Sequence, residues 1–175
     1  GPYHGPGEQK TAERLTAELP DGWDVIVGRD VPDGMGTVDL DIVVVGPHAV
    51  FVCEEKAWGA HVVAGEVAWY VRGERRHNPV NQVSHAARVL AGRIRSYVRG
   101  WEAALRSLPR GTHVVTGHVI LSHDFLDLEN AGDLGADVVL PLADATTTLT
   151  ALHDAMPAGM ASLRPALMSY LIGLR

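Results

Sequence analysis

Charged side chains interrupt an otherwise apolar segment, VDLDIVVVGPHAVFVCEEK, at residues 38–56. If the four residues GPHA connect two antiparallel strands, Val45 and Val50 close the hairpin and Asp41 faces Glu54. In the same register Asp39 faces Lys56. Side chains alternate between the two faces of a strand, so all four charged side chains share one face of the hairpin. The spacing therefore predicts a cluster of carboxylates beside one ammonium group.

Such a cluster is suited to binding a divalent cation. Opposing Cβ atoms lie about 4.5–5.5 Å apart, and like charges at that distance are destabilising unless a cation lies between them. Carboxylate oxygens are ligands of hard ions such as Mg²⁺, which retains several waters. The alternative is a half-exposed hairpin in which Asp39 pairs with Lys56 while Asp41 and Glu54 are hydrated. The strands IVVV and VFVC are more apolar than an exposed ribbon, which favours the metal site.

Glu55 has the opposite orientation in this register, and we expect its side chain to face solvent. Glu55 would then contribute at most its backbone oxygen to a metal bound by Asp41 and Glu54.

Two polar side chains on predicted helices are further candidates. Glu8 lies on the same stripe as Ala12 and Leu15 and points along the core-facing side of the first helix. An ordinary first-turn glutamate, favoured by the helix dipole, is an equally supported interpretation. Gln82 lies one turn into a helix that begins at Asn78-Pro79, at the edge of its buried stripe, where a hydrogen bond to a neighbouring loop is one interpretation.

The elements that position these residues follow from periodicity and from turn residues. The pattern predicts helices at 8–19, 79–108, 143–156 and 160–174, and strands at 23–31, 38–45, 49–56, 61–64, 66–72, 113–122 and 137–142. This order predicts an α/β (α+β) fold with a central mixed sheet flanked by helices.

The composition indicates a globular protein of 175 residues, which we expect to form one domain, 1–175. No apolar run approaches the roughly 18 residues of a membrane helix, so we expect no membrane contact. Cys53 is the only cysteine, which excludes an internal disulfide and a site of several thiolates. A cytoplasmic location is the expectation. We also expect a flexible segment at 1–7, a tag remnant at Gly1-Pro2, and excision of the domain from a longer protein.

Positive charge is concentrated in one region although the formal net charge is −6. Residues 71–110 contain nine arginines and two glutamates. Arg88, Arg95 and Arg99 are seven and four residues apart, so on one helix they would share a face that contacts phosphates. The alternative is a solvated helix face.

Other residue types carry weaker signals. His113, His118 and His123 do not share a strand face, so we interpret them as isolated surface or loop residues rather than zinc ligands. Cys53, Trp58 and the other tryptophans fit core packing, with base stacking as the alternative for the indoles.

The ordered combination of these residues resembles the nuclease-related domain (NERD) of the PD-(D/E)XK nuclease superfamily over roughly the first hundred residues. It comprises GPGE at the first helix, Asp41 in the strand DIVVVGP, Glu54 and Lys56 as E-x-K, Trp69, and Asn78, Pro79 and Gln82 as N-P-x-x-Q. The chain departs from many relatives at Ala57, where they have asparagine, and by its additional acids Asp39 and Glu55.

The resemblance implies a restriction-endonuclease-like core and a set of roles for these residues. Asp41, Glu54 and the backbone carbonyl of Glu55 would bind Mg²⁺ or Mn²⁺. Lys56 would orient or deprotonate the attacking water, or stabilise the transition state. Glu8 and Gln82 would complete the catalytic set, and Asp39 would support it.

The leading hypothesis is a Mg²⁺-dependent endodeoxyribonuclease that acts on DNA rather than RNA, with bacterial defence as a candidate context. The second is a non-catalytic nucleic-acid-binding or regulatory module attached to a kinase or helicase domain, which the resemblance also allows. An ordinary protein-interaction domain is the third. A homodimer is a candidate assembly.

Overall fold

The computed structural model describes residues 5–175; Gly1–His4, including the predicted tag remnant, lie outside the described residues. The helices are α1 (Pro6–Glu18), α2 (Pro79–Tyr97), α3 (Trp101–Arg106), α4 (Leu142–Asp154) and α5 (Arg164–Gly173). The strands are β1 (Asp24–Asp33), β2 (Gly36–Val45), β3 (Val50–Lys56), β4 (Ala60–Val63), β5 (Ala68–Val71), β6 (Glu74–His77), β7 (Val115–Leu121), β8 (Leu126–Glu129) and β9 (Val139–Pro141).

These strands form two mixed sheets. The larger has the order β1-β2-β3-β7-β9, with antiparallel pairs from β1 to β3 and parallel pairs from β3 to β9. The smaller has the order β6-β5-β4-β8 and continues from the ends of β3 and β7. The predicted fold class, α/β with mixed sheets flanked by helices, is confirmed.

Helices cover both faces of the larger sheet, which explains why β2 and β3 read as continuous apolar runs. Val43, Val52 and Leu90 belong to the core on the α2 side. Ile42 and Phe51 belong to the core on the side of α1 and α4. An inner strand buried on both faces needs apolar residues at successive positions, so the charged residues at the strand ends stand out.

The predicted helix 79–108 is wrong in one respect, because it is broken in two. Val98 is extended (φ −98°, ψ 105°), and Gly100 has a φ of 87°, a left-handed conformation that glycine adopts without strain. Arg99 therefore lies in the turn between α2 and α3. The apolar periodicity runs through the break because Val98 and Trp101 are both buried.

The strand predicted at 66–72 is shorter in the structure, where β5 covers Ala68–Val71 and forms a hairpin with β6. Arg72 and Gly73 both have positive φ, as a two-residue hairpin turn requires. Strand β8, which lies between the predicted strands 113–122 and 137–142 and was not itself predicted, pairs in parallel with β4.

Close packing of α2 against β7 depends on Gly117. A Cβ at this position would lie 2.8 Å from the backbone oxygen of Val83. We expect Gly117→Ala to lower the free energy of unfolding by about 1–3 kcal/mol, because the helix must shift outward. Denaturant unfolding would measure the change.

Gly92→Ala is the matched control on α2. No atom lies within 4 Å of its Cβ position, so alanine should stabilise the helix by about 0.5–1 kcal/mol. Equal effects of the two substitutions would contradict the proposed close contact.

Candidate functional site

The β2–β3 hairpin has the register that the sequence predicts. Val45 pairs with Val50, and the ladder continues to Ile42 and Cys53. Asp41 and Glu54 are the next residues, and their exposed fractions are only 8% and 7%. Beyond this point β2 continues its pairing with β1 alone. The two carboxylates therefore lie buried where β2 and β3 separate.

A backbone contact orients Asp41 at this point. The N–H of Glu55 donates to Asp41 Oδ2 at 3.0 Å, in place of a ladder bond to β2. The carbonyl of Lys56 accepts from Ser122 N–H on β7. Because backbone groups alternate in direction along a strand, the Glu55 carbonyl faces the β2 side, next to Asp41. The predicted third oxygen ligand thus faces the carboxylates.

Lys56 contacts Glu54 and an aromatic side chain. Its Nζ lies 3.5 Å from Glu54 Oε1 and 5.3 Å from the ring centroid of Trp58. The Trp58 ring packs edge-on against Trp69, which is fully buried. Asp39, the predicted partner of Lys56, lies opposite Asp30 in the β1–β2 ladder. The ammonium group is therefore held beside the buried carboxylates.

Burial raises the pKa of both carboxyl groups. The pKa of Glu54 is raised to about 8, first by burial and then by the charge of Asp41, although Lys56 lowers it. Burial likewise raises the pKa of Asp41, against the lowering effect of the Glu55 N–H. Near neutral pH the pair therefore retains a proton when no cation is bound. A divalent cation can displace that proton and stabilise both carboxylates.

The expectation that the Glu55 side chain faces solvent is wrong. It does lie on the opposite face of β3, but α1 covers that face, and Glu55 is half-buried. Ser122 Oγ donates to Glu55 Oε1 at 2.6 Å. Gly7 of α1 packs so close to the Glu55 carboxylate that a Cβ at position 7 would clash with it. Burial raises the pKa of Glu55 as well.

Lys10 ties α1 to the end of β7. Its Nζ donates to the carbonyl of Ser122 at 2.9 Å and to Asp124 Oδ1 at 2.7 Å. The same serine binds Glu55, so α1, β3 and β7 are joined next to the cluster. Sequence reasoning missed Lys10 and Ser122. The one available signal was the position of Ser122, directly after a strand parallel to β3.

Glu8 reaches the carboxylate cluster from α1. Its pKa is raised to about 7, first by burial and then by the charges of Asp41, Glu55 and Asp39. Glu8 therefore lies within electrostatic range of the predicted metal-binding pair.

The remaining predicted residues are exposed along α2 and its end. Gln82 is exposed in the first turn, and within residues 5–175 no hydrogen bond joins it to the cluster. Arg88 and Arg95 share one side of α2, whereas Arg99 lies beyond the helix, so the predicted single face of three arginines is wrong. Arg95 lines the same cavity as Val115, which lies about 13 Å along β7 from Val119, the residue that pairs with Glu54.

The donor atoms fit a magnesium-type ion. Across residues 5–175, no three His, Cys, Asp or Glu side chains converge as a metal site. Mg²⁺ is usually held by one or two carboxylates, several waters and substrate phosphates rather than by a complete protein cage. Asp41, Glu54 and the Glu55 carbonyl supply a set of that kind, composed of hard oxygens.

One of the three histidines His113, His118 and His123 is buried, contrary to their interpretation as surface or loop residues. His118 lies on β7 opposite Cys53 of β3, and its exposed fraction is 5%. Its Nδ1 donates to the Asp137 carbonyl and its Nε2 accepts from the Thr116 hydroxyl, which satisfies the neutral ring. His113 and His123 are not buried, and Cys53 is a core residue as predicted.

One of the comparisons with known proteins found a match. A family model described as "Nuclease-related domain" matches residues 4–121, about two thirds of the chain. The match ends with β7 and includes the whole carboxylate cluster. Searches of curated proteins and of solved structures found no match. No helix within residues 5–175 is both long and apolar enough to cross a membrane.

Proposed function

We propose, since this chain belongs to the nuclease-related domain family, that it hydrolyses phosphodiester bonds of DNA with Mg²⁺ or Mn²⁺ held by Asp41 and Glu54. The observation that carries the proposal is the buried pair of carboxylates with the Lys56 ammonium 3.5 Å from Glu54. A scaffold that serves only for packing gains nothing from two adjacent buried acids, because burying them costs free energy.

Each residue of the site has a defined role in this proposal. Asp41 and Glu54 would hold the cation together with the Glu55 carbonyl, and the Glu55 N–H keeps Asp41 in position. When bound, the cation lowers the pKa of a coordinated water and offsets negative charge at the phosphate. Lys56 would bind the attacking water or a phosphate oxygen, since its flexible stem carries a compact charge.

Other groups hold this arrangement in place. The Trp58 ring restricts the Lys56 side chain, and the bonds among Glu55, Ser122 and Lys10 fix the end of β3 against α1 and β7. Glu8 adds a carboxylate beside the cluster. The phosphate contacts predicted for Arg88, Arg95 and Arg99 stay a prediction, because these arginines lie away from the cluster along α2 and in the turn after it.

Cleavage of supercoiled plasmid and of single-stranded DNA with Mg²⁺ or Mn²⁺ tests the proposal. We expect Asp41→Asn to reduce the cleavage rate at least about 100-fold, because it removes one of two charged ligands. Glu13→Gln, on the exposed side of α1, is the control and should retain wild-type activity. Equal cleavage by the wild type and Asp41→Asn would rule out this site.

The same assay separates the proposal from the non-catalytic alternative. DNA binding without metal-dependent cleavage by the wild type would favour a nucleic-acid-binding module that retains the nuclease fold.

A further inference from the structure

A groove runs along the outer edge of β7, at a distance from the carboxylate cluster. It has a volume of about 480 Å³, and we call it the β7 groove. One wall is α2, with Ala87 and Arg88, and the other is the end of α4, with Leu152 and Met156. A second cavity of about 130 Å³ continues it past Ala91 to Arg95, since both cavities share Ala91, His113 and Val115.

The floor of the β7 groove is an open strand edge. Strand β9 pairs only with Val119–Leu121, which leaves the preceding part of β7 uncovered on that side. The Val114 carbonyl and the Ser122 N–H both bond to β3, so the alternate residues Val115 and Gly117 direct their backbone groups into the groove. Within residues 5–175 neither residue has a partner in β9, and no turn, loop or side-chain hydrogen bond to their N–H or C=O groups is found.

The two walls differ in chemistry. Arg88 and Arg95 lie on the α2 wall, seven residues and about 10 Å apart along the helix axis. No aspartate or glutamate lines either cavity. The α4 wall is apolar. A strand laid along β7 would alternate its side chains between these two walls.

We propose that the β7 groove binds an extended acidic segment of a partner protein as an additional strand beside β7. The peptide backbone pairs with Val115 and Gly117. Acidic side chains face Arg88 and Arg95, and the alternate apolar side chains face Leu152 and Met156. This mode of recognition combines main-chain hydrogen bonds with pockets for every second side chain. The inference is independent of the proposed nuclease activity.

Two other occupants fit the groove less well. A nucleic-acid backbone offers phosphate acceptors to the two N–H groups but leaves the carbonyls of Val115 and Gly117 facing negative charge. A second copy of the chain, paired edge to edge, would bring the arginines of both copies together, and like charges repel.

The test uses the whole chain and a capped seven-residue peptide of alternating glutamate and valine. Amide NMR shifts and hydrogen exchange at Val115 and Gly117 report binding at the edge itself. We expect both amides to become protected, and Arg88→Glu to weaken binding at least about 10-fold. A peptide of alternating lysine and valine should bind the Arg88→Glu variant better than the wild type.

Arg99→Glu is the matched control, because this exposed arginine does not line the groove, and it should leave peptide affinity unchanged. Equal binding of a peptide that is N-methylated at every second residue would overturn the proposal, since that peptide cannot form the ladder. Preferential protection of these amides by single-stranded oligothymidylate, or by raising the protein concentration alone, would also overturn it. These outcomes would assign the groove to nucleic acid or to a second copy.

Discussion

Replacement of Glu54 by glutamine is expected to abolish metal-dependent DNA cleavage and, at pH 7, to make the protein more stable than the wild type. Both effects follow from one feature, the burial of this carboxyl group next to Asp41. The amide keeps the size of the side chain and can donate to Asp41, but it supplies no charged ligand. Loss of a ligand charge worth several kcal/mol corresponds to a rate at least about 1000-fold lower.

The stability change has a defined dependence on pH. The pKa of Glu54 is near 4.5 without the fold and about 8 within it, so the folded state binds this proton more tightly. The stability that the folded state gains from binding this proton is complete below about pH 4.5 and is lost as the pH rises toward 8. Glutamine does not titrate. Over this interval the unfolding free energies of the variant and the wild type should diverge by about 1.4 kcal/mol per pH unit.

Chemical denaturation between pH 4 and 8.5 in a chelator, paired with plasmid cleavage in Mg²⁺, measures both effects. Glu13→Gln again serves as the control and should follow the wild type in both assays. Addition of Mg²⁺ should raise the melting temperature of the wild type but not that of Glu54→Gln. A variant that loses stability at pH 7 in the chelator would contradict the proposed cost of burying this charge.

The central part of the site follows from the sequence because strand geometry is simple. A period of two and a short connection determine which side chains meet, so Asp41 and Glu54 are paired before any tertiary contact is known. Glu55 shows where this reasoning ends. Alternation gives its face correctly, but its burial depends on α1 and on Ser122, which lies 67 residues further along the chain.

The errors in the predicted elements have a similar origin. The periodicity of the long helix continues across Val98 and Trp101, so only the backbone conformations of Val98 and Gly100 reveal the break. Strand β8 has only four residues, two of them leucines, and its pairing with β4 stabilises it. The open edge of β7 depends on where β9 begins, because Val139 pairs with Val119 and leaves Val115 and Gly117 without a neighbouring strand. Each of these features is set by contacts between distant segments.

Replacement of Lys56 by methionine is the second change with a large expected effect. Methionine retains much of the packing against Trp58 but removes the charge beside Glu54, and we expect cleavage to fall about 100- to 1000-fold, as for loss of a positioned proton-transfer group. Lys56→Arg should not restore activity, since a planar guanidinium cannot replace a compact ammonium beside buried carboxylates. Glu13→Gln, which leaves the Lys56–Glu54 contact and the cluster intact, is the control and should retain wild-type activity.

The pH dependence of metal binding distinguishes this role of Lys56 from a purely structural one. Lys56 lowers the pKa of Glu54, so its removal lets that pKa rise further. A cation must displace a more tightly held proton, and the midpoint of Mg²⁺-induced stabilisation should move to higher pH in Lys56→Met. Melting temperatures measured with and without Mg²⁺ across pH 6–9 would show this shift. An unchanged midpoint would mean that Lys56 does not interact with the carboxylate pair, and an unchanged cleavage rate would remove it from the catalytic set.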